Sequence, residues 1–175
     1  MPLNKGLIQV YTGQGKGKTT AALGLALRAA GQGLRVYIAQ FMKGQPHSGE
    51  LTALKKQPNI TLRQFGRAGF VDPKNPAPED IELARKGLAQ SRHEIHSGRY
   101  DLVILDELNL VTSWGLVELE EVLSLIKEKP QGIELVLTGR EAPPEVIALA
   151  DLVTEMVEVK HPFQEGIASR RGIDY

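Results

Sequence analysis

LIQVYTGQGKGKTTAALGLALRAAG, residues 7–31, joins three kinds of sequence end to end. LIQVYT (7–12) is apolar and β-prone, and residues 18–30 are rich in alanine and leucine, with Gly31 and Gly33 placed where a helix should stop. Between them TGQGKGKTT (12–20) packs three glycines and two lysines into nine residues. Strand, glycine loop, helix is the order in which a backbone cradles phosphate. The loop N–H groups turn inward and the helix N-terminus adds partial positive charge. The usual spacing is G-x-x-x-x-G-K-[ST]. Gly17, Lys18 and Thr19 fit its end, Thr12 stands at the first glycine, and Gly13 and Gly15 supply the flexibility one step later. Lys18 would then reach the terminal phosphates and the Thr19 hydroxyl would ligate Mg²⁺. A bare glycine turn would leave two lysines pressed together for no reason.

Outward from this stretch, the chain keeps alternating. RVYIAQF (35–41), ITLRQF (60–65), DLVILDE (101–107), IELVLTG (133–139) and LVTEMVEV (152–159) read as strands. Helices are expected at about 48–56, 79–97, 116–128 and 143–150. The strands are continuous apolar runs, the mark of a parallel sheet covered on both faces. GRAGFVDPKNPAP (66–78) has three prolines and two glycines and reads as a long irregular loop, a functional segment in a compact domain. No internal repeat, low-complexity segment or domain boundary interrupts the pattern, so one α/β domain is expected. In such sheets ligands bind beyond the carboxyl ends of the strands, where 12–19, 42–50, 106–109 and 138–140 would gather.

Composition narrows the partners. The 175 residues suit one globular core, with 42% hydrophobic and 24% charged residues. Lys plus Arg and Asp plus Glu number 21 each, so the net charge is zero and a nucleic acid is not the favoured partner. That weakens helicase and recombinase readings. Cysteine is absent, which removes thiolate chemistry and fits a reducing compartment. MPLNKGLIQVY carries one lysine and a short apolar run, unlike a secretory signal, and no segment approaches a membrane span. A cytoplasmic address is expected.

Two further motifs bear on phosphate chemistry. LVILDELN ends a buried strand in acids, and both Asp106 and Glu107 qualify as the Mg²⁺ partner of Thr19. In an ATPase, Glu107 could instead orient a water. LTGR puts Arg140 at another strand end, where a guanidinium could steady a phosphate tail. His93 and His96 share a helix face at a spacing that suits a metal, yet their segment is otherwise polar and reads as a solvated surface. His161 differs, lying in VKHPF beside the expected end of the sheet.

Taken together, TGQGKGKTTAALGLALRAAG, VYIAQFMKG, Gly69-Phe70, VILDELN, LTGR and VKHPFQEGIASRRGIDY resemble the P-loop corrinoid adenosyltransferases, in order and from about Gly6 to Tyr175. Thr12 in place of the first glycine is typical of that family. The resemblance implies a P-loop NTPase (RecA-like) fold, a mostly parallel sheet with helices on both faces. It also implies transfer of the 5′-deoxyadenosyl group of ATP to the Co(I) of a reduced corrinoid, releasing triphosphate. ATP is bound reversed in the family, with the loop on the γ-phosphate. Carried over, Gly13, Gly15, Lys16, Gly17, Lys18, Thr19 and Thr20 hold the triphosphate, with Gln14 counted in the nucleotide-binding loop. Thr19 and an acid of the Asp106–Glu107 pair hold Mg²⁺ (Mn²⁺ being the alternative), and Arg140 approaches the phosphates. Arg28 matches an arginine that reaches a nucleotide on a neighbouring subunit, which implies a homodimer. Phe70 matches an aromatic covering the lower face of the corrin. The family often continues Gly-Phe-Thr-Trp, whereas Gly69-Phe70 here runs on to Val71-Asp72. A flavoprotein reductase is the implied electron donor.

Two other classes share the phosphate loop: a small P-loop ATPase or nucleotide kinase, and a nucleotide-dependent binding module without turnover. Their products separate them, since the transferase releases triphosphate, the ATPase or kinase ADP, and the module nothing.

Overall fold

A computed structural model describes residues 3–44 and 48–174 of the chain. Part of the 42–50 segment and the final Tyr175 of the tail motif therefore lie outside the described residues. Six strands alternate with helices: β1 (Ile8–Thr12), α1 (Lys18–Gly31), β2 (Val36–Phe41), α2 (Gly49–Leu54), β3 (Ile60–Phe65), α3 (Pro78–His96), β4 (Leu102–Asp106), α4 (Leu108–Ser113), α5 (Leu119–Lys127), β5 (Glu134–Thr138), α6 (Pro144–Leu149) and β6 (Leu152–Glu155). They form one sheet in the order β3-β2-β4-β5-β1-β6, and every pairing is parallel. Among the described residues no helix is long and apolar enough to cross a membrane.

The central strands are buried on both faces because their alternate residues enter two cores. On β4, Val103 and Leu105 join one cluster and Leu102 and Ile104 the other, and β2 divides likewise between Tyr37, Ala39, Phe41 and Val36, Ile38. The larger cluster draws on α3, α4, α5 and α6. The smaller one is closed by Ala22, Ala26 and Ala29 of α1, whose short side chains let the helix lie close to the sheet. At the far end from the phosphate loop, Arg35 clamps Asp101 with two side-chain bonds of 3.1 and 3.0 Å and a backbone N–H at 2.8 Å, tying β2 to β4.

Three departures from the sequence reading have physical causes. α4 has no counterpart among the expected elements: residues 108–115 carry no assignment between the strand at 101–107 and the helix at 116–128, yet Leu108, Val111 and Thr112 fall on one buried helical face. β6 stops at Glu155 rather than 159, because the Met156 backbone turns to serve the phosphate loop. Its N–H donates to Thr12 O (2.9 Å) and its carbonyl accepts from Gly15 N (2.7 Å). The sheet is also not covered at its margin, where all four residues of β6 are exposed.

Candidate active site at the carboxyl end of the sheet

β1 delivers the chain into the loop at Thr12, whose hydroxyl accepts the N–H of Ala142 at 3.3 Å. A threonine at this position thus ties the loop to the turn after β5, a bond no glycine could make. Gly13 follows with φ 94°, and a Cβ there would lie 2.4 Å from Met156 O, so both the backbone angle and the space demand glycine. Lys18 folds back into the loop. Its ammonium donates to Gly13 O and Gly15 O, each at 2.7 Å. Burial pushes its pKa down, Arg140 adds in the same direction, and Glu107 and Asp106 oppose them. Gln14, Lys16 and Thr20 are exposed on the loop, whereas Gly15 is buried with its N–H engaged by Met156. Lys16 is paired with Asp174 of the tail.

Asp106, at the end of β4, is the centre of the site. It is fully buried, yet every lone pair has a use. Oδ1 accepts from Thr19 Oγ1 (2.8 Å) and Thr138 Oγ1 (2.7 Å), and Oδ2 accepts from Lys43 Nζ (2.7 Å) and Gln40 Nε2 (3.1 Å). Burial alone would raise its pKa, but the Lys43 charge and these hydrogen bonds outweigh it and hold the carboxyl below its usual range. Glu107 takes a left-handed φ of 67°, with its N–H on Thr138 Oγ1 at 3.0 Å. Burial and the neighbouring Asp106 charge push its pKa up. The two acids are therefore unlike: one is a fixed anion, the other a more readily protonated neighbour.

The donor set fits a hard divalent cation. Thr19 and Asp106 present oxygens to one another at 2.8 Å, Glu107 adjoins them, and the Lys43 ammonium already stands as a cation against that pair. Among the described residues no group of three or more His, Cys, Asp or Glu gathers elsewhere or here. An incomplete protein shell suits Mg²⁺ or Mn²⁺, which keep waters and take phosphate oxygens.

Arg140 follows β5 and is exposed, and its charge is felt by both Lys18 and Glu107. Asn109 Nδ2 holds the carbonyl of Gly139 at 3.3 Å, fixing the turn that carries it. Phe70 lies in the long loop and is wholly exposed, while the adjacent Val71 packs on the larger core. That loop starts beside the site. Gly66 runs so close to the exit of β2 that a Cβ would sit 2.4 Å from Met42 C and 2.5 Å from Lys43 N. Arg28, expected at a nucleotide, is placed away from this cluster. It sits exposed near the end of α1, roughly 15 Å along the helix from Lys18. It lines a small cavity with Leu25, Leu34 and Glu134 instead. His96 bonds backbone carbonyls of Arg92 (2.9 Å) and Glu128 (3.1 Å), a structural use.

Gln40, Lys43 and Thr138 all touch the central cluster, yet none was named as a site residue, and Thr138 was reached only within 138–140 at the ligand end. Only the placement of 42–50 at the ligand end pointed toward Lys43.

The profile of a family described as ATP:corrinoid adenosyltransferase BtuR/CobO/CobP matches residues 4–175. A corrinoid adenosyltransferase of Sinorhizobium sp. is 36% identical over 173 residues, 98% of this chain and 81% of that protein. One from Escherichia coli K12 is 36% identical over 171 residues, covering 98% of this chain and 86% of its own. One from Salmonella typhimurium LT2, named corrinoid adenosyltransferase CobA, shows the same 36% identity and the same coverage.

Proposed function

The chain belongs to the ATP:corrinoid adenosyltransferase family, and from that premise we propose how its own residues carry the transfer. The protein is a transferase that moves the adenosyl group of ATP to a corrinoid. In the reading proposed, the corrinoid enters as Co(I). The electron pair on cobalt forms the new bond to C5′, the C5′–O bond breaks, and its pair leaves on triphosphate. No proton moves in this step, so no general base is needed. The observation that carries the reading is a cluster of cations about two adjacent acids: Lys43 pairs with buried Asp106, Lys18 lies within charge range of Asp106 and Glu107, and Arg140 within range of Lys18 and Glu107.

Each group then has a task. The phosphate loop, from Gly13 to Thr20, positions the triphosphate so that C5′ lies in line with cobalt. Lys18 sits inside the loop on two carbonyls, pre-placed to meet charge that grows on the departing oxygen. Thr19 and Asp106 would hold the divalent cation, with Glu107 beside them. Such a cation, when bound, neutralises phosphate oxygens as the leaving group departs. Arg140 supports the phosphates from the β5 side. Phe70 would lie under the corrin ring, with Asp72 where the family often has an aromatic. The chain would work as one domain in a cytoplasmic homodimer, with Arg28 reaching the partner's nucleotide and a flavoprotein supplying one electron to turn Co(II) into Co(I).

The test is product analysis. ATP with chemically reduced cobalamin should change the corrin absorbance and release triphosphate in equal amount. Stoichiometric ADP with an unchanged corrin spectrum would return the protein to the ATPase or kinase class.

A further inference from the structure

Lys43 contributes charge to the cluster but has no task of its own in the transfer, yet it holds a singular position. Its ammonium lies 2.7 Å from Asp106 Oδ2 and 3.4 Å from Thr19 Oγ1, the two residues assigned to the divalent cation. Lys43 is one of four donors to the carboxylate, and the other three are uncharged. Thr19 and Thr138 serve Oδ1, and Gln40 serves Oδ2, without Lys43. What Lys43 adds is charge. Its backbone is held by the close passage of Gly66 and by the Met42 N–H on Phe65 O at 3.0 Å, so the flexible four-carbon stem is the part free to move.

We infer that Lys43 is a positioning residue that acts as a resident cation, occupying Asp106 and Thr19 until a divalent cation arrives with nucleotide and then yielding the pair to it. Two cations cannot share a buried carboxylate at contact distance without strong repulsion. Lys43 therefore keeps the anion neutralised and aligned in the empty protein and disfavours uptake of free metal. A metal that brings triphosphate offers Lys43 new phosphate oxygens within reach of its stem, which offsets its loss of Asp106. The inference rests on the proposed role of Thr19 and Asp106.

A plain structural ion pair and a resident cation predict opposite signs. Manganese titrated into nucleotide-free protein, followed by the resonance signal of free Mn²⁺, reads the difference. K43Q and K43M should bind Mn²⁺ at least about tenfold more tightly than wild type, because the buried carboxylate has lost its counter-charge. K43R, which keeps the charge, should stay within about twofold. The melting temperature of both neutral variants should rise more on adding Mn²⁺ than that of wild type. Neutral variants that fold only with Mn²⁺ would support the exchange. Mn²⁺ binding equal to or weaker than wild type in K43Q and K43M would overturn it, as would their failure to fold with metal present. D106N separates the two layers. If it leaves binding of Mn²⁺ with ATP untouched, the cation-site reading fails and the inference falls with it. If it weakens that binding while the Lys43 variants gain nothing, the inference alone falls.

Discussion

Phe70 is wholly exposed while its neighbour Val71, partly buried, packs against the larger core, so the loop makes its apolar contact through one residue and leaves the larger one free. A ring that touches nothing contributes little to folding. Phe70→Ala should therefore change stability by no more than about 0.5 kcal/mol. In the proposed reading its effect belongs to chemistry. Co(II) is hard to reduce while a lower axial ligand donates to it, and an apolar wedge that removes the ligand eases reduction. Adenosylation from Co(II) with a mild flavoprotein donor should fall sharply in Phe70→Ala, and from preformed Co(I) only slightly. Equal losses from both starting states would mean that the residue merely binds the ring. At this scale motif spacing pointed to Lys18, Thr19 and Asp106, which the fold brings to one end of the sheet, while Phe70 is marked only as the one aromatic of an irregular loop. The contact of Gln40 and Thr138 with Asp106 was illegible for a physical reason, although 138–140 was expected at the ligand end. A polar residue inside an apolar strand has no spacing signal, and only the pairing of β2 and β5 on either side of β4 brings both onto Asp106.

Among the elements, alternation of apolar runs with helical spacing made five of the six strands legible to within a residue or two, and the central ones among them are buried on both faces. α4 and the early end of β6 were hidden because tertiary contacts set them: a helical turn packed under Asp106, and a backbone drawn onto the phosphate loop. The loop read at 66–78 is irregular as far as Ala77, since Pro78 already opens α3, but how it is closed was not legible. Asp80, in the first turn of α3, accepts Arg67 Nε at 2.6 Å, Arg67 Nη2 at 2.9 Å and the N–H of Ala77 at 3.1 Å, joining both ends of the loop. The Arg67 hydrogen bonds hold the Asp80 carboxyl below its usual range, against the opposing effect of burial. A depressed folded pKa gives stabilisation that is present above the unfolded value, about 4, and is lost as pH falls through the folded value. Asp80→Asn should thus cost about 1–2 kcal/mol at neutral pH and lose less than wild type on acidification below about pH 4. Urea unfolding at a series of pH values checks this, and parallel curves for the two proteins would contradict it.

Across the whole molecule, the parallel sheet collects Thr12, Lys43, Asp106 and Arg140 at one end, while Arg28 points away from them along α1. A role for Arg28 at a nucleotide therefore requires a second copy. The exposed β6, with Val157, Val159 and Phe163 beyond it, leaves apolar surface for such a copy to cover. Lys18→Ala and Arg28→Ala homodimers should each be nearly inactive, and an equimolar exchanged mixture should recover roughly a quarter of wild-type activity, because half the dimers carry one intact composite site. No recovery would place Arg28 in its own subunit's structure alone. The central claim, however, is which bond breaks, since a site of cations without a base is suited to a leaving triphosphate. ATP carrying ¹⁸O in the bridge between C5′ and the α-phosphorus decides it, with the released phosphate product and the adenosylated corrinoid weighed by mass spectrometry. The account predicts that all of the label leaves in triphosphate. Label retained on the adenosyl side, or found in pyrophosphate or ADP, would contradict it.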